Sequence, residues 1–151
     1  MLAEEFLGDM PLPWQIIALR LCGATLLCGL IGLERELKRH AAGLRTNMLI
    51  GLGTAAFALV AQYMILHFHS GDDSVRMDPI RLIEAATAGV AFLAAGTIVL
   101  SRGEVKGLTS GALMWVSAAI GLCVGLGLWI LAVPTTLLAL VISAVISRFE
   151  D

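Results

Sequence analysis

The chain has 151 residues, of which 58% are hydrophobic and 15% charged, with a formal net charge of −2. Soluble domains carry about 45–50% apolar and about 25% charged residues, so this composition excludes an ordinary soluble domain and indicates one membrane domain over residues 1–151. The near-neutral charge argues against a nucleic-acid partner.

Five segments are long and apolar enough to form transmembrane helices, which need about 20 residues each. They are predicted over residues 14–33, 46–66, 80–100, 108–124 and 128–146. A single helix over 108–147 would be about 60 Å long, twice the hydrocarbon core, so a glycine-rich turn is expected to separate the last two. The predicted fold class is an all-α, polytopic bundle of about five transmembrane helices.

Basic residues collect on one side of this arrangement. They follow the first, third and fifth segments: Arg35, Lys38, Arg39, Arg45, Arg102, Lys106 and Arg148. Because basic loops stay in the cytoplasm, the N-terminus is predicted outside and the C-terminus in the cytoplasm. The acidic N-terminus lacks a signal-peptide pattern, so the first segment is expected to direct insertion.

Small residues recur at helical spacing in three segments. These stripes are Gly23, Gly29 and Gly32; Ala85, Gly89 and Gly96 beside Ala88, Ala91 and Ala95; and Ser117, Gly121 and Gly125. Small residues let helices approach closely in lipid. The stripes predict packing seams inside the chain, and they also allow a homodimer or higher oligomer.

Two ionisable residues lie within predicted membrane helices, Arg20 in the first and Glu84 in the third. A charge at membrane depth costs at least about 2.5 kcal/mol, so we expect Arg20 to pair with Glu84 or Asp78. The pair would be a structural clamp or part of a polar path, and snorkelling of Arg20 to the interface is the alternative. Arg81 lies nearer the boundary, where a solvated role is expected.

No metal site or cofactor is predicted. The segment HFHSGDD, residues 67–73, could bind a divalent cation weakly, but its spacing matches no recognised ligand set and a hydrated loop is favoured. The three cysteines, at 22, 28 and 123, lie inside apolar runs, where thiols usually act as small hydrophobic groups.

The most polar stretch, GLERELKRHAAGLRT, covers residues 32–46, between the first two helices. Its middle members are expected to form a solvated, orienting loop: Glu36, Lys38, Arg39 and His40. Glu34 and Arg35 close the first helix, whereas Arg45, Thr46 and Asn47 open the second. An ion pair between Glu34 and Arg45 is predicted, with Thr46 and Asn47 as candidate caps.

Three blocks in order resemble the signatures of the MgtC/SapB family. They are GLERELKRHAAGLRTNMLIGLGTAAF, DPIRLIEAATAGVAFLAAGTIV and GEVKGLTSGALMWVSAAIGL. The resemblance covers residues 15–128. The family's polar motif positions fall on Glu34, Arg35, Gly43, Arg45, Thr46, Asn47, Asp78, Arg81, Gly107, Leu108 and Thr109.

This resemblance implies a multi-pass protein of the bacterial cytoplasmic (inner) membrane without known catalytic activity. Members are linked to growth in low magnesium and, in some pathogens, to survival inside host cells. Some are thought to contact other membrane complexes rather than to carry magnesium. Glu84 stands where the family commonly has a glutamine. Longer relatives carry a soluble cytoplasmic C-terminal domain, whereas this sequence stops at SRFED, just beyond the last predicted helix.

Three functions compete at this point. The first is a regulatory or interaction role in the lipid bilayer with a membrane-protein partner. The second is a small ion or solute transporter whose path would use Arg20, Glu34, Glu84, Thr97 and Thr109. The absence of a convincing internal repeat favours the first, and a purely structural scaffold is the third alternative. An enzyme is not expected, because the sequence has no phosphate loop, helical metal pair or nucleophile beside a base.

Overall fold

A computed structural model describes residues 12–68, 78–101 and 103–146. The described residues form five helices: α1 Trp14–Leu37, α2 Leu44–Phe68, α3 Pro79–Thr97, α4 Leu108–Gly125 and α5 Trp129–Ile146. Between α3 and α4 lies an antiparallel hairpin of β1 (Val99–Ser101) and β2 (Glu104–Lys106), in which Leu100 pairs with Val105. The predicted all-α helical fold is confirmed.

Three of the described helices are long and apolar enough to cross a membrane, namely Trp14–Leu37, Leu44–Leu66 and Leu108–Gly125. The other two contain shorter apolar stretches, Ile83–Thr97 and Trp129–Val145. The predicted end of α3 at residue 100 is wrong, since the helix stops at Thr97 and the chain becomes extended. The run of β-branched residues from 97 to 99 explains this change, because such residues favour strands.

Helix α4 is the centre of the bundle and contacts each of the other four helices. One buried core joins it to α1, α2 and α5, with Ala24, Ala55, Ile120 and Ala132 completely inaccessible. A second buried cluster joins it to α2 and α3: Ala42, Ile50, Val90, Ala94, Met114 and Ala118. The helices therefore pack around α4 rather than in a ring.

Glycines bring α2 into backbone contact with both α1 and α4. A Cβ added at Gly51 would lie 2.8 Å from Cys28 Cβ and 2.9 Å from Ala24 O on α1. A Cβ added at Gly121 of α4 would lie 2.5 Å from Gly51 O. The predicted seam on α4 is therefore confirmed, and Gly51 lies where three helices meet.

The predicted seam on α3 is wrong as an internal seam. Ala85 and Ala88 are exposed, and among the described residues nothing lies within 4 Å of a Cβ added at Gly89 or Gly96. Helix α3 packs on α4 through a different face, which includes Val90. The residues of the predicted stripes consequently face outward, whereas Ala94 is buried against α4.

Two glycines of α2, two positions apart, give a matched test of the seam. Gly51→Ala should lower the free energy of unfolding by about 1–3 kcal/mol, because the new methyl group would overpack the Cys28 side chain and the Ala24 carbonyl of α1. Gly53→Ala should raise it by about 0.5–1 kcal/mol through helix propensity, since a Cβ there meets no described atom within 4 Å. Thermal unfolding in detergent, followed by circular dichroism, measures both, and equal effects would contradict the packing described.

Candidate functional site

Charged and hydroxyl side chains join the ends of three helices. The Glu34 carboxylate on α1 accepts a hydrogen bond from Ser143 Oγ on α5 at 2.7 Å and pairs with Lys38 Nζ at 2.5 Å. The Arg35 guanidinium, only 5% exposed, donates to Ser110 Oγ on α4 at 3.0 Å. We call these five residues the helix-end cluster. They tie the last turn of α1 to the start of α4 and the end of α5.

The predicted Glu34–Arg45 ion pair is wrong. Glu34 is held by Lys38, one helical turn further along α1, and by Ser143. Lys38, four residues after Glu34, lies on the same face of α1, so this pair does not require an ordered loop. Arg45 is exposed and lines a groove between α2 and α3.

Glu36 is exposed, as predicted, but it also has a structural role that was not predicted. Its carboxylate accepts a hydrogen bond from the backbone N–H of Leu44 at 3.0 Å, where α2 begins. It therefore caps α2, the role expected of Thr46 or Asn47. A carboxylate suits this position because helix N-termini carry free N–H groups and a positive partial charge.

Asn47 joins α2 to α4 instead of capping. It is completely buried. Its Nδ2 donates to Gly43 O at 2.9 Å and to Ala42 O at 3.3 Å, and its Oδ1 accepts from Ser117 Oγ at 2.8 Å. Cys28 Sγ on α1 donates to Ser117 O at 3.3 Å. The described polar groups of this inner region are therefore neutral and bonded to one another.

At the opposite end of the bundle, Arg20 donates to Gln62 Oε1 at 2.9 Å and to Gly125 O at 2.8 Å. The prediction that it pairs with Glu84 or Asp78 is wrong. Glu84 is exposed on α3, and Asp78 Oδ1 caps α3 by accepting from Ile80 N at 3.0 Å. Arg20 instead satisfies a carbonyl at the C-terminus of α4, where unpaired carbonyls and the helix dipole favour a cation.

The remaining predicted residues are dispersed. Thr46 lines the groove between α2 and α3, Thr109 lines a cleft beside the helix-end cluster, and Arg81 is exposed as expected. Among the residues that the structure describes, no group of three His, Cys, Asp or Glu side chains could hold a metal ion. The side chains of the candidate cation loop at 67–73 lie outside the described part of the chain.

Three partners were missed from the sequence, namely Gln62, Ser110 and Ser143. Gln62 had a signal, because it interrupts an apolar run near the end of α2 that the topology brings close to Arg20. The two serines had none, since a lone hydroxyl in a membrane helix usually bonds within its own helix.

A family model described as "MgtC family" matches residues 21–151. The chain belongs to the MgtC family. Its helix-end cluster lies inside the matched residues, whereas Arg20 lies one position before them.

This MgtC family chain is similar to three curated proteins over most of its length. "Putative magnesium transporter YhiD" of Escherichia coli (strain K12) is 39% identical over 124 residues, which is 82% of this chain and 57% of YhiD. "Protein MgtC" of Brucella abortus (strain 2308) is 38% identical over 126 residues, 83% of this chain and 49% of that protein. An uncharacterized protein of Haemophilus influenzae is 36% identical over 127 residues, 83% of this chain and 53% of its own length. The chain spans about half the length of these relatives, and no solved structure matches it significantly.

Removal of a charge from the helix-end cluster should lower the free energy of unfolding more than removal of a charge from the exposed start of α2. Arg35→Gln should lower the free energy of unfolding by about 1–3 kcal/mol, because it removes a buried hydrogen bond to Ser110. Arg45→Gln is the matched control, and its effect should stay within about 0.5 kcal/mol, as for other surface substitutions. Thermal unfolding in detergent compares them, and a larger loss for Arg45→Gln would contradict the site.

A double-mutant cycle tests the partner of Arg20. Arg20→Met and Gln62→Met should show a coupling energy of about 0.5–3 kcal/mol, as contacting polar residues do. Arg20→Met combined with Glu84→Gln should be additive within about 0.5 kcal/mol. The free energies of unfolding of the single and double variants give both coupling energies. Coupling of Arg20 to Glu84 and not to Gln62 would contradict the structure and support the pair predicted from the sequence.

Proposed function

We propose that the chain is a regulatory or interaction protein of the bacterial cytoplasmic (inner) membrane, linked to magnesium limitation or membrane-energy homeostasis. It acts by contacting another membrane protein, without catalysing a reaction and without a cofactor. In a pathogen, the same role would extend to survival inside host cells. The observation that carries this proposal is the open groove between α2 and α3.

The α2–α3 groove has a volume of about 680 Å³ and is almost entirely apolar. Gly53 on α2 and Gly89 on α3 both line it, and a Cβ at either would meet no described atom within 4 Å. Phe57 and Phe92 also line it and are 55% and 81% exposed. Small residues beside large apolar ones are typical of a surface on which another membrane helix packs closely.

The arrangement of polar groups supports contact rather than conduction. Of the five residues expected to line a transport path, Arg20 is bound at one end of the bundle and Glu34 at the other, while Glu84 is exposed on α3. Thr97 bonds to Ala94 O in its own helix at 2.8 Å, and Thr109 is exposed. A transport path needs polar groups that line a shared cavity near mid-membrane.

Transport of a small ion remains the second candidate, and the printed name of YhiD, which contains the words magnesium transporter, is the observation that favours it. That name describes YhiD, of which this chain spans 57%. Magnesium is bound by carboxylates and water in octahedral geometry, so a transport function would require carboxylates facing a path.

We further propose that the N-terminus lies outside and the C-terminus in the cytoplasm. Arg35, Arg39, His40 and Lys106 line one cleft at the helix-end cluster, which supports a cytoplasmic position for this end of the bundle. The outward-facing small residues of α3 also support self-association into a homodimer or larger assembly. Cross-linking of the purified chain would distinguish a second copy from a different partner.

The proposal predicts that filling the groove abolishes function without unfolding the chain. In the bacterium that encodes it, deletion should slow growth in limiting magnesium, and Gly89→Leu should fail to restore growth at equal membrane levels. Ile130→Phe should restore it, because Ile130 is 83% exposed on α5 and does not line the groove. Growth rates in limiting and ample magnesium are the measurement.

The transport alternative is tested on purified chain in liposomes. No flux of Mg²⁺ or H⁺ above that of empty liposomes is expected. Robust Mg²⁺ flux that Glu84→Gln abolishes, or full restoration of growth by Gly89→Leu, would overturn the regulatory proposal.

A further inference from the structure

A second cavity, the basic cleft, is lined in part by Arg35, Ser110 and Ser143 of the helix-end cluster and has a volume of about 760 Å³. It is bounded by the end of α1 with the loop that follows, by β2 and the start of α4, and by α5. Its basic lining residues are Arg35, Arg39, His40 and Lys106, and none of its described lining residues is acidic. The cleft therefore favours an anionic ligand.

The mouth of the cleft offers hydrogen-bond donors as well as charge. Thr109 and Ser110 line it with hydroxyl groups, and Arg35 is fixed there by its bond to Ser110 at 3.0 Å. The Ser143 hydroxyl also lines the cleft, but it already donates to Glu34. Arginine and hydroxyl donors of this kind match the oxygen atoms of a phosphate group.

The opposite wall of the cleft is apolar. Leu113 and Val116 of α4 and Ala139 and Ile142 of α5 line it. Val116 lies about 12 Å along the helix axis from Leu108, at 1.5 Å per residue, so the wall extends well below the mouth. A ligand that fills the whole cleft must carry negative charge at one end and a hydrocarbon at the other.

We propose that the basic cleft binds an anionic phospholipid, with the phosphate of the headgroup at Arg35, Arg39 and Lys106 and an acyl chain against the α4–α5 wall. The site goes beyond the proposed function and needs no protein partner. It lies on α1, α4 and α5, whereas the α2–α3 groove lies on the other two helices. Clusters of basic residues at a membrane surface attract anionic lipids, with each residue contributing about fivefold in affinity.

The test uses the full chain in neutral detergent, with bound lipid counted by native mass spectrometry. Phosphatidylglycerol should bind at least about tenfold more tightly than phosphatidylcholine with the same acyl chains, as expected if two or more cations contribute. Inorganic phosphate at millimolar concentration should not displace it, because free phosphate makes no contact with the apolar wall. Displacement by phosphate would assign the site to a free anion and overturn the lipid.

A pair of double variants removes the same charge at two places. Arg39→Gln with Lys106→Gln should weaken phosphatidylglycerol binding by about 25-fold, the product of two fivefold losses. Arg45→Gln with Arg81→Gln removes two exposed cations that do not line the cleft, and it should leave binding nearly unchanged.

Equal losses in the two double variants, or equal binding of the two lipids, would overturn the inference. If the cleft variant fails to fold, Lys106→Gln alone carries the test, since Lys106 is exposed on β2. Its expected loss is about fivefold. Growth in limiting magnesium is measured independently of lipid binding. If the chain fails to bind phosphatidylglycerol but Gly89→Leu still fails to restore growth, the lipid site is refuted and the proposed function is not.

Discussion

Close backbone contact at Gly51 is the constraint on which the rest of the bundle depends. Lipid supplies no hydrophobic force between helices, so association relies on van der Waals contact and hydrogen bonds. A methyl group at Gly51 of α2 would lie 2.9 Å from the Ala24 carbonyl oxygen of α1, and a methyl group at Gly121 of α4 would lie 2.5 Å from the Gly51 carbonyl oxygen. About one turn before each glycine of the α2–α4 contact, Asn47 and Ser117 are joined at 2.8 Å. The tight packing therefore brings the polar pair together, and the pair in turn orients the two helices.

The position of charge follows from that packed interior. An unpaired polar group in hydrocarbon costs several kcal/mol, and the described inner residues meet this demand with neutral groups bonded to each other. Charges lie toward the ends, where helix termini supply partners. Arg20 bonds to the C-terminal carbonyl of Gly125, and Glu36 to the N-terminal amide of Leu44. Interhelical bonds such as that between Arg35 and Ser110 then hold the ends together.

Two of the open surfaces formed by the described residues differ in chemistry. The α2–α3 groove is apolar with small residues at its floor, as suits another helix. The basic cleft between α1, α4 and α5 combines cations with an apolar wall, as suits a lipid. Because α4 contacts all four other helices, it separates the two surfaces while supporting both.

The sequence by itself determined the membrane class, the number of helices, the α4 seam and the resemblance to the family, because long apolar runs and helical spacing are local properties of the chain. It also placed Glu34 and Arg35 at the end of the first helix and Asn47 at the start of the second. Only the tertiary structure decided their partners. Charges such as Arg20 could have met any of several residues near the same membrane depth, and sequence reasoning chose other charges over Gln62 and a backbone carbonyl. Which face of α3 is buried was likewise decided by packing against α4, since small residues permit close contact but do not specify with what.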